Sequence, residues 1–257
     1  MTILQSATSP RQTLAPTALK ALARRAQGMT GADIERWVRE ARQKARRDRR
    51  PLSYADLESQ LAGSKPSRST ALRMRIATHE AGHAVARMLV GFGPIAEISV
   101  DAKMGGGFVD GSIGTHDEMT EARLTAVLIG VLAGRAAEEV MLETVTVNAG
   151  GADHSDLALA TRLALDMETI LGIGGKWPLV HRKPSDTPEM LAADPELAAR
   201  INERLARAYE AACTIVREQT DAIDFLAEQL FDAGTLEGPE LDAVLTETRK
   251  RIRERPG

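Results

Sequence analysis

Ala77-Thr78-His79-Glu80-Ala81-Gly82-His83-Ala84 is the stretch that decides how this chain is read. Leu72, Ile76, His79 and His83 recur at steps of three or four, the period of one helix face. Two imidazoles one turn apart on that face can share a metal ion. Glu80, one step round the helix, reaches a water on such an ion rather than the ion itself. Zinc lowers the pKa of its water toward about 7, and a glutamate can then take the proton as the water attacks a carbonyl. The competing reading is two histidines packed in a helical core. Gly82 speaks against it, because a mid-helix glycine costs about 1 kcal/mol and calls for a packing or functional reason.

A catalytic zinc site needs a third protein ligand and an open fourth position. The candidates downstream are His116, Asp153, His154, Asp156 and His181, and spacing does not choose among them. Asp153, His154 and Asp156 cluster at an expected helix start behind the glycine-rich loop 148–152. A carboxylate placed there serves equally well as an N-cap.

Around this stretch the pattern is mostly helical. Upstream, residues 1–15 read as a flexible tail, followed from Thr17 by a short helix (Leu19, Leu22, Ala23) that Gly28 stops. Thr30 caps a second helix with Ile34, Val38 and Ala41 on one face. Pro51 ends it, and Tyr54 to Leu61 forms a third. Gly63 to Thr70 has the composition of a linker. Downstream of Gly93-Pro94 the period changes to two: Ala96, Ile98 and Val100 alternate with Glu97 and Ser99, which predicts a strand. Glycines 105–107 and 111 mark turns around a second strand near Phe108 and Val109. Thr120 to Leu142 is a long apolar helix, and Ser155 or Asp153 caps another through Leu171. Residues 178–195 read as an irregular connection. Leu197, Ile201, Leu205, Ala212 and Val216 line a long amphipathic helix, and Ile223–Phe231 and Glu237–Arg249 complete a bundle.

Composition narrows the function classes. The 257 residues are 43% hydrophobic and 27% charged, a globular balance that excludes wholesale disorder. The single cysteine, Cys213, excludes an intramolecular disulfide and a multi-cysteine zinc site, and its place beside an apolar stripe reads as core packing. The longest apolar stretch, Leu124 to Gly134, falls short of the about 18 residues of a membrane span, so a soluble, cytoplasmic chain without a signal core is expected. Residues 1–75 hold 16 Lys+Arg and 6 Asp+Glu, whereas 76–257 hold 17 and 30, which suggests two segments with different jobs. No aromatic interleaves the basic run Arg42, Lys44, Arg46, Arg47, Arg49, Arg50. It reads as a solvated helix face, and no nucleic-acid partner is expected.

Several stretches together resemble the peptidase part of the FtsH family of ATP-dependent membrane zinc proteases, peptidase family M41. They are 77–84, Gly134-Arg135-Ala136-Ala137-Glu138-Glu139, Gly151-Ala152 with Asp156-Leu157-Ala158-Leu159-Ala160-Thr161, and Gly234-Thr235-Leu236-Glu237-Gly238-Pro239-Glu240-Leu241. The resemblance covers roughly residues 71–248 in the family's order. It implies a mainly α fold, a helical zinc-peptidase domain with a small β-hairpin or sheet near the site. It also implies Zn2+ held by His79, His83 and Asp156, with Glu80 as general base. One residue more than in the family's pattern separates Gly151-Ala152 from the aspartate, so Asp153 and His154 stand as alternatives for the third ligand.

Gly28-Met29-Thr30-Gly31-Ala32-Asp33-Ile34, Glu40-Ala41 and Leu52 to Leu57 resemble the small helical lid of an AAA+ ATPase module. The expected layout is a tail at 1–15, a lid-like subdomain at 16–63, a linker at 64–70 and a peptidase domain at 71–257. No G-x-x-x-x-G-K-[ST] phosphate loop occurs; Gly174-Gly175-Lys176 is followed by Trp177. The chain alone is therefore expected not to hydrolyse ATP, and a separate or missing ATPase module is implied.

The resemblance implies an endopeptidase that degrades unfolded or loosely folded proteins, assembled as a homo-hexamer. The alternative is a catalytically silent assembly or adaptor module that retains the fold. The strand at 95–100 is expected either to pair with extended substrate as an edge or to form an internal hairpin over the zinc helix. Glu138 and Glu139 read as solvent-facing charges at a helix end and are left outside the site.

Overall fold

The computed structural model describes residues 22, 26, 30–63, 69–91, 93–100, 108–110, 118–183 and 187–253. The tail at 1–15, most of the helix expected from Thr17, most of the linker at 64–70, the glycines at 105–107 and 111, and His116 lie outside the described residues. The chain divides into two compact units, Met1–Ser67 and Arg68–Gly257.

In the first unit, α1 (Gly31–Arg47) and α2 (Tyr54–Gly63) pack together. Thr30 starts α1 with a capping box. Its hydroxyl accepts from the Asp33 N–H, and the Asp33 carboxylate accepts from the Thr30 N–H at 3.1 Å. The buried face of α1 is Trp37, Ala41 and Ala45, one step round from the expected Ile34, Val38, Ala41 stripe; Ile34 is 38% exposed. The aromatic decides the rotation. Trp37 is buried and donates its Nε1–H to the Leu57 carbonyl at 2.8 Å, which a turn toward Ile34 would forfeit.

The second unit runs α3 (Thr70–Val90), β1 (Glu97–Ser99), β2 (Phe108–Asp110), α4 (Glu121–Leu142), α5 (Asp156–Thr169), α6 (Thr187–Ala193), α7 (Pro195–Glu218), α8 (Thr220–Ala233), β3 (Thr235–Glu237) and α9 (Gly238–Arg251). Side-chain caps start the helices that carry the site: Ser69 for α3, Thr120 for α4 and Ser155 for α5. The main core joins α3, α4, α7 and α8 through Ile76, Val85, Ala133, Ala137, Val216, Ile223 and Leu226, with Ile98 of β1 and Leu236 of β3 closing it. The expected irregular stretch 178–195 contains α6, too short for a clear period. Met190 and Leu191 of that helix pack on Leu165, Leu197 and Ile201.

The sheet has the order β2-β1-β3, all antiparallel, with Ile98 opposite both Val109 and Leu236. Two expectations change here. First, Glu97 and Ser99 are buried like Ile98 rather than facing water, because both faces of β1 are covered, whereas Ala96 just before it is exposed. Ser99 is satisfied there by a 2.8 Å hydroxyl–hydroxyl bond to Thr235. Second, β1 is not an edge: its two sides are taken by β2 and β3, so the internal reading holds and no side is left for substrate.

Candidate metal centre

The centre is built where α3 crosses α4. A Cβ on Gly82 would stand 2.6 Å from Ala137 Cβ and 2.8 Å from the Ala133 carbonyl oxygen, so only glycine lets the two backbones approach this closely. The helix-breaking residue inside the motif thus has a packing reason. On the facing helix, a Cβ on Gly134 would lie 2.3 Å from His83 Nε2 and 2.5 Å from His79 Nε2. The absent side chain of Gly134 is the space the two imidazole edges occupy.

Three ligand atoms converge there. His79 Nε2 and His83 Nε2 are 3.0 Å apart, and Asp156 Oδ2 lies 3.1 Å from the first and 3.4 Å from the second. Asp156 arrives as the first residue of α5. Ser155 caps that helix, and the positive end of the helix dipole favours a carboxylate at this position. Among the described residues, these three form the group of His, Cys, Asp and Glu side chains suited to a shared metal. The other candidates do not join it: Asp153, His154 and His181 are exposed.

The hydrogen bonds behind the imidazoles fix their tautomers. His83 Nδ1 is 2.8 Å from the Gly130 carbonyl, which can only accept, so Nδ1 carries the proton. His79 Nδ1 is 2.8 Å from Glu138 Oε1 and donates in the same way. In the neutral rings both Nε2 atoms are then bare lone pairs, aimed at each other and at a carboxylate. Three acceptors at this spacing repel unless a cation lies between them. Four-coordinate zinc with ligands at about 2.0–2.1 Å sets its ligand atoms roughly 3.3 Å apart, so the donor set and the triangle fit that ion.

The protonation preferences follow the same geometry. Burial pulls the His79 pKa down, but the Asp156 and Glu138 carboxylates outweigh it and push it up to about 10. Burial also opposes charge on His83, and Asp156 again prevails, raising it. A proton takes the cation's place here when no metal does. Burial opposes ionisation of Asp156 too, and the positive charge of His83 holds its carboxyl well below the usual range. Glu80, buried on α3 beside both histidines, has its pKa raised by burial, the direction a general base at neutral pH needs.

Sequence reasoning set Glu138 aside, and the structure places it behind the site. It is 2% exposed and accepts from His79 Nδ1, from Arg75 Nη1 at 3.0 Å and from the Thr146 N–H at 2.9 Å. Burial works against its charge, yet the His79 and Arg75 bonds bring its pKa down to about 2. The signal was the spacing to Gly134: four positions on, Glu138 shares the helix face that receives the histidines. Glu139 is exposed, as expected, and accepts from the Tyr209 hydroxyl at 2.6 Å. Cys213 is buried in the main core.

A histidine pair on a helix, a carboxylate across from it and a buried glutamate between them define the class of helical metallopeptidases. Comparison with known proteins agrees. The profile of peptidase family M41 matches residues 67–244, more than half the chain, and this chain belongs to that family. The profile of the AAA+ lid domain matches residues 18–59. Similar curated proteins include ATP-dependent zinc metalloprotease FtsH 2 of Sphaerobacter thermophilus, 30% identical over 93% of this chain and 38% of that protein. FtsH 1 of Sorangium cellulosum is 31% identical over 90% and 40%, and FtsH of Thermotoga maritima 31% over 92% and 42%. The chain thus spans about two fifths of the length of these relatives. No helix among the described residues is long and apolar enough to cross a membrane.

Proposed function

We propose that the chain is a zinc-dependent endopeptidase acting on unfolded or loosely folded protein, with His79, His83 and Asp156 as metal ligands and Glu80 as general base. The observation that carries this reading is the convergence of two tautomer-fixed Nε2 lone pairs and a carboxylate oxygen within 3.4 Å. A zinc ion held there would supply an acidified water and polarise the scissile carbonyl. The residues do the rest. Glu138 and the Gly130 carbonyl hold the imidazole edges in place, and Asp156 balances their charge. Glu80, its carboxyl raised by burial, accepts the water's proton and passes it to the leaving amine. With β1 closed on both sides, an extended substrate would pair with β2, the end strand away from β3.

The layout proposed with it is a lid-like unit at 16–63, a linker at 64–70 and the peptidase at 71–257, assembled as a homo-hexamer. The relatives' names include ATP dependence. In this chain unfolding power is assigned to an ATPase module outside the residues described, and the lid-like match at 18–59 supports that.

The test is cleavage of an unfolded model protein by the purified chain without ATP, beside Glu80→Gln, with zinc content measured in both. Cleavage by the parent alone, with zinc in both, supports the proposal. Zinc in both and cleavage in neither favours the silent assembly module.

A further inference from the structure

Arg75 lies one turn before His79 on the same face of α3. Its guanidinium bonds to residues 63 and 69 positions away. Nη1 donates to Glu138 Oε2 at 3.0 Å and to the Thr144 carbonyl at 2.9 Å, and Nη2 donates to the Thr144 hydroxyl at 2.8 Å. The Glu138 carboxylate continues the network. Its Oε1 accepts from His79 Nδ1 at 2.8 Å and from the Thr146 hydroxyl at 3.2 Å, and its Oε2 from the Thr146 N–H at 2.9 Å. Arg75, Thr144, Thr146 and Glu138 thus form one connected set with a metal-facing imidazole at its end.

The bonds to Thr144 have a local reason. Glu143 turns the chain out of α4 with φ +55°, a left-handed conformation that a residue other than glycine holds only where its surroundings fix it. Arg75 ties down the residue that follows. Tethering this turn does not account for the bond to Glu138. A buried carboxylate is costly unless a partner compensates its charge, and among the described residues Arg75 is the one arginine or lysine ion-paired with it. The guanidinium is planar and its donors stand in a fixed fork, so it fixes the direction of the carboxylate as well as its charge.

We propose that Arg75 is a positioning residue of the metal centre. It holds Glu138 as a fixed, charged acceptor and, through Glu138, sets the direction in which His79 presents Nε2. This rests on the reading of His79 as a metal ligand.

The experiment measures the zinc affinity of the full chain by competition with a chelator, together with the visible absorption of the cobalt(II)-loaded chain, whose bands report the geometry of the donor set. Arg75→Gln is expected to weaken zinc about tenfold and to shift the cobalt bands, with far-ultraviolet circular dichroism unchanged. On a Glu138→Gln background the same substitution adds no further loss, because the arginine acts through the carboxylate. Arg75→Lys returns a cation to Glu138 and recovers most of the affinity. Thr144→Val removes the hydroxyl bond, leaves the Glu138 bond in place, and keeps the parental affinity and cobalt bands. Additive losses in the double variant, a Thr144→Val as weak as Arg75→Gln, or an Arg75→Gln that binds zinc like the parent would each overturn the proposal. If Arg75→Gln does not fold, Arg75→Lys and Thr144→Val decide: an Arg75→Lys as weak as Glu138→Gln overturns it. A parent that binds zinc but cleaves nothing counts against the proposed reaction, while the same affinity comparisons still decide the role of Arg75.

Discussion

Glu138 Oε1 lies 2.8 Å from His79 Nδ1 and joins residues 59 positions apart, so α4 sets the orientation of an imidazole on α3. Glu138→Gln keeps the shape and an acceptor oxygen but removes the charge that makes Nε2 a stronger donor. Metal affinity, read by competition with a chelator, is expected to fall about 10–100-fold, with the fold intact by circular dichroism. An unchanged affinity would show that the carboxylate does no more than fill space.

Two glycine substitutions on facing helices separate packing from ligation. Gly82→Ala drives a methyl into the α4 backbone, so the helices must part. Its cost is about 1–3 kcal/mol in urea unfolding, even though alanine is the better helix former by about 1 kcal/mol. Gly134→Ala places its methyl on the two Nε2 atoms, so metal stoichiometry is the quantity expected to collapse. Full zinc occupancy in Gly134→Ala would contradict the position assigned to the ion.

The third ligand is decided by a matched pair. Asp156→Ala is expected to lose retained zinc on dialysis, whereas His154→Ala, altering an exposed side chain outside the convergent group, keeps it. The opposite pattern would move the ligand to the loop.

An acid limb in stability is expected from Glu168. Its buried carboxylate accepts from Arg200 Nε at 3.0 Å and Arg204 Nη2 at 2.9 Å. Burial opposes the charge, but the two arginines outweigh it and hold the folded-state pKa below the usual glutamate value. A depressed carboxylate stabilises the fold above its unfolded pKa of about 4.3, and that contribution is lost as pH falls through the folded value. Glu168→Gln should cost on the order of 3 kcal/mol at pH 7 and much less at pH 3. Urea midpoints for parent and variant across that range check it, and parallel curves would refute the assignment.

How much of this was readable beforehand depends on the range of the interaction. Several helix starts were legible because caps and apolar period are local: Thr30, Thr120 and Ser155 each start the helix expected of them. His79, His83 and Glu80 were legible because a single helix holds all three. Asp156 needed the family resemblance, since its partnership with the histidines spans the fold. Glu138 went unassigned because nothing in a one-dimensional reading distinguishes a helix-end glutamate facing water from one facing an imidazole. Strand β3 was missed outright. Three residues between two helices show no period, and only β1, far upstream, gives them a partner.

That last pairing sets a schedule for the molecule's own synthesis. β1 follows directly after the histidine helix, yet one of its flanks is filled only by residues 235–237. While the ribosome is still making the long stretch between them, the nascent chain already carries both histidines but shows an open strand side next to them. The sheet beside the histidine helix is therefore completed only after all the helices between β1 and β3 have been made.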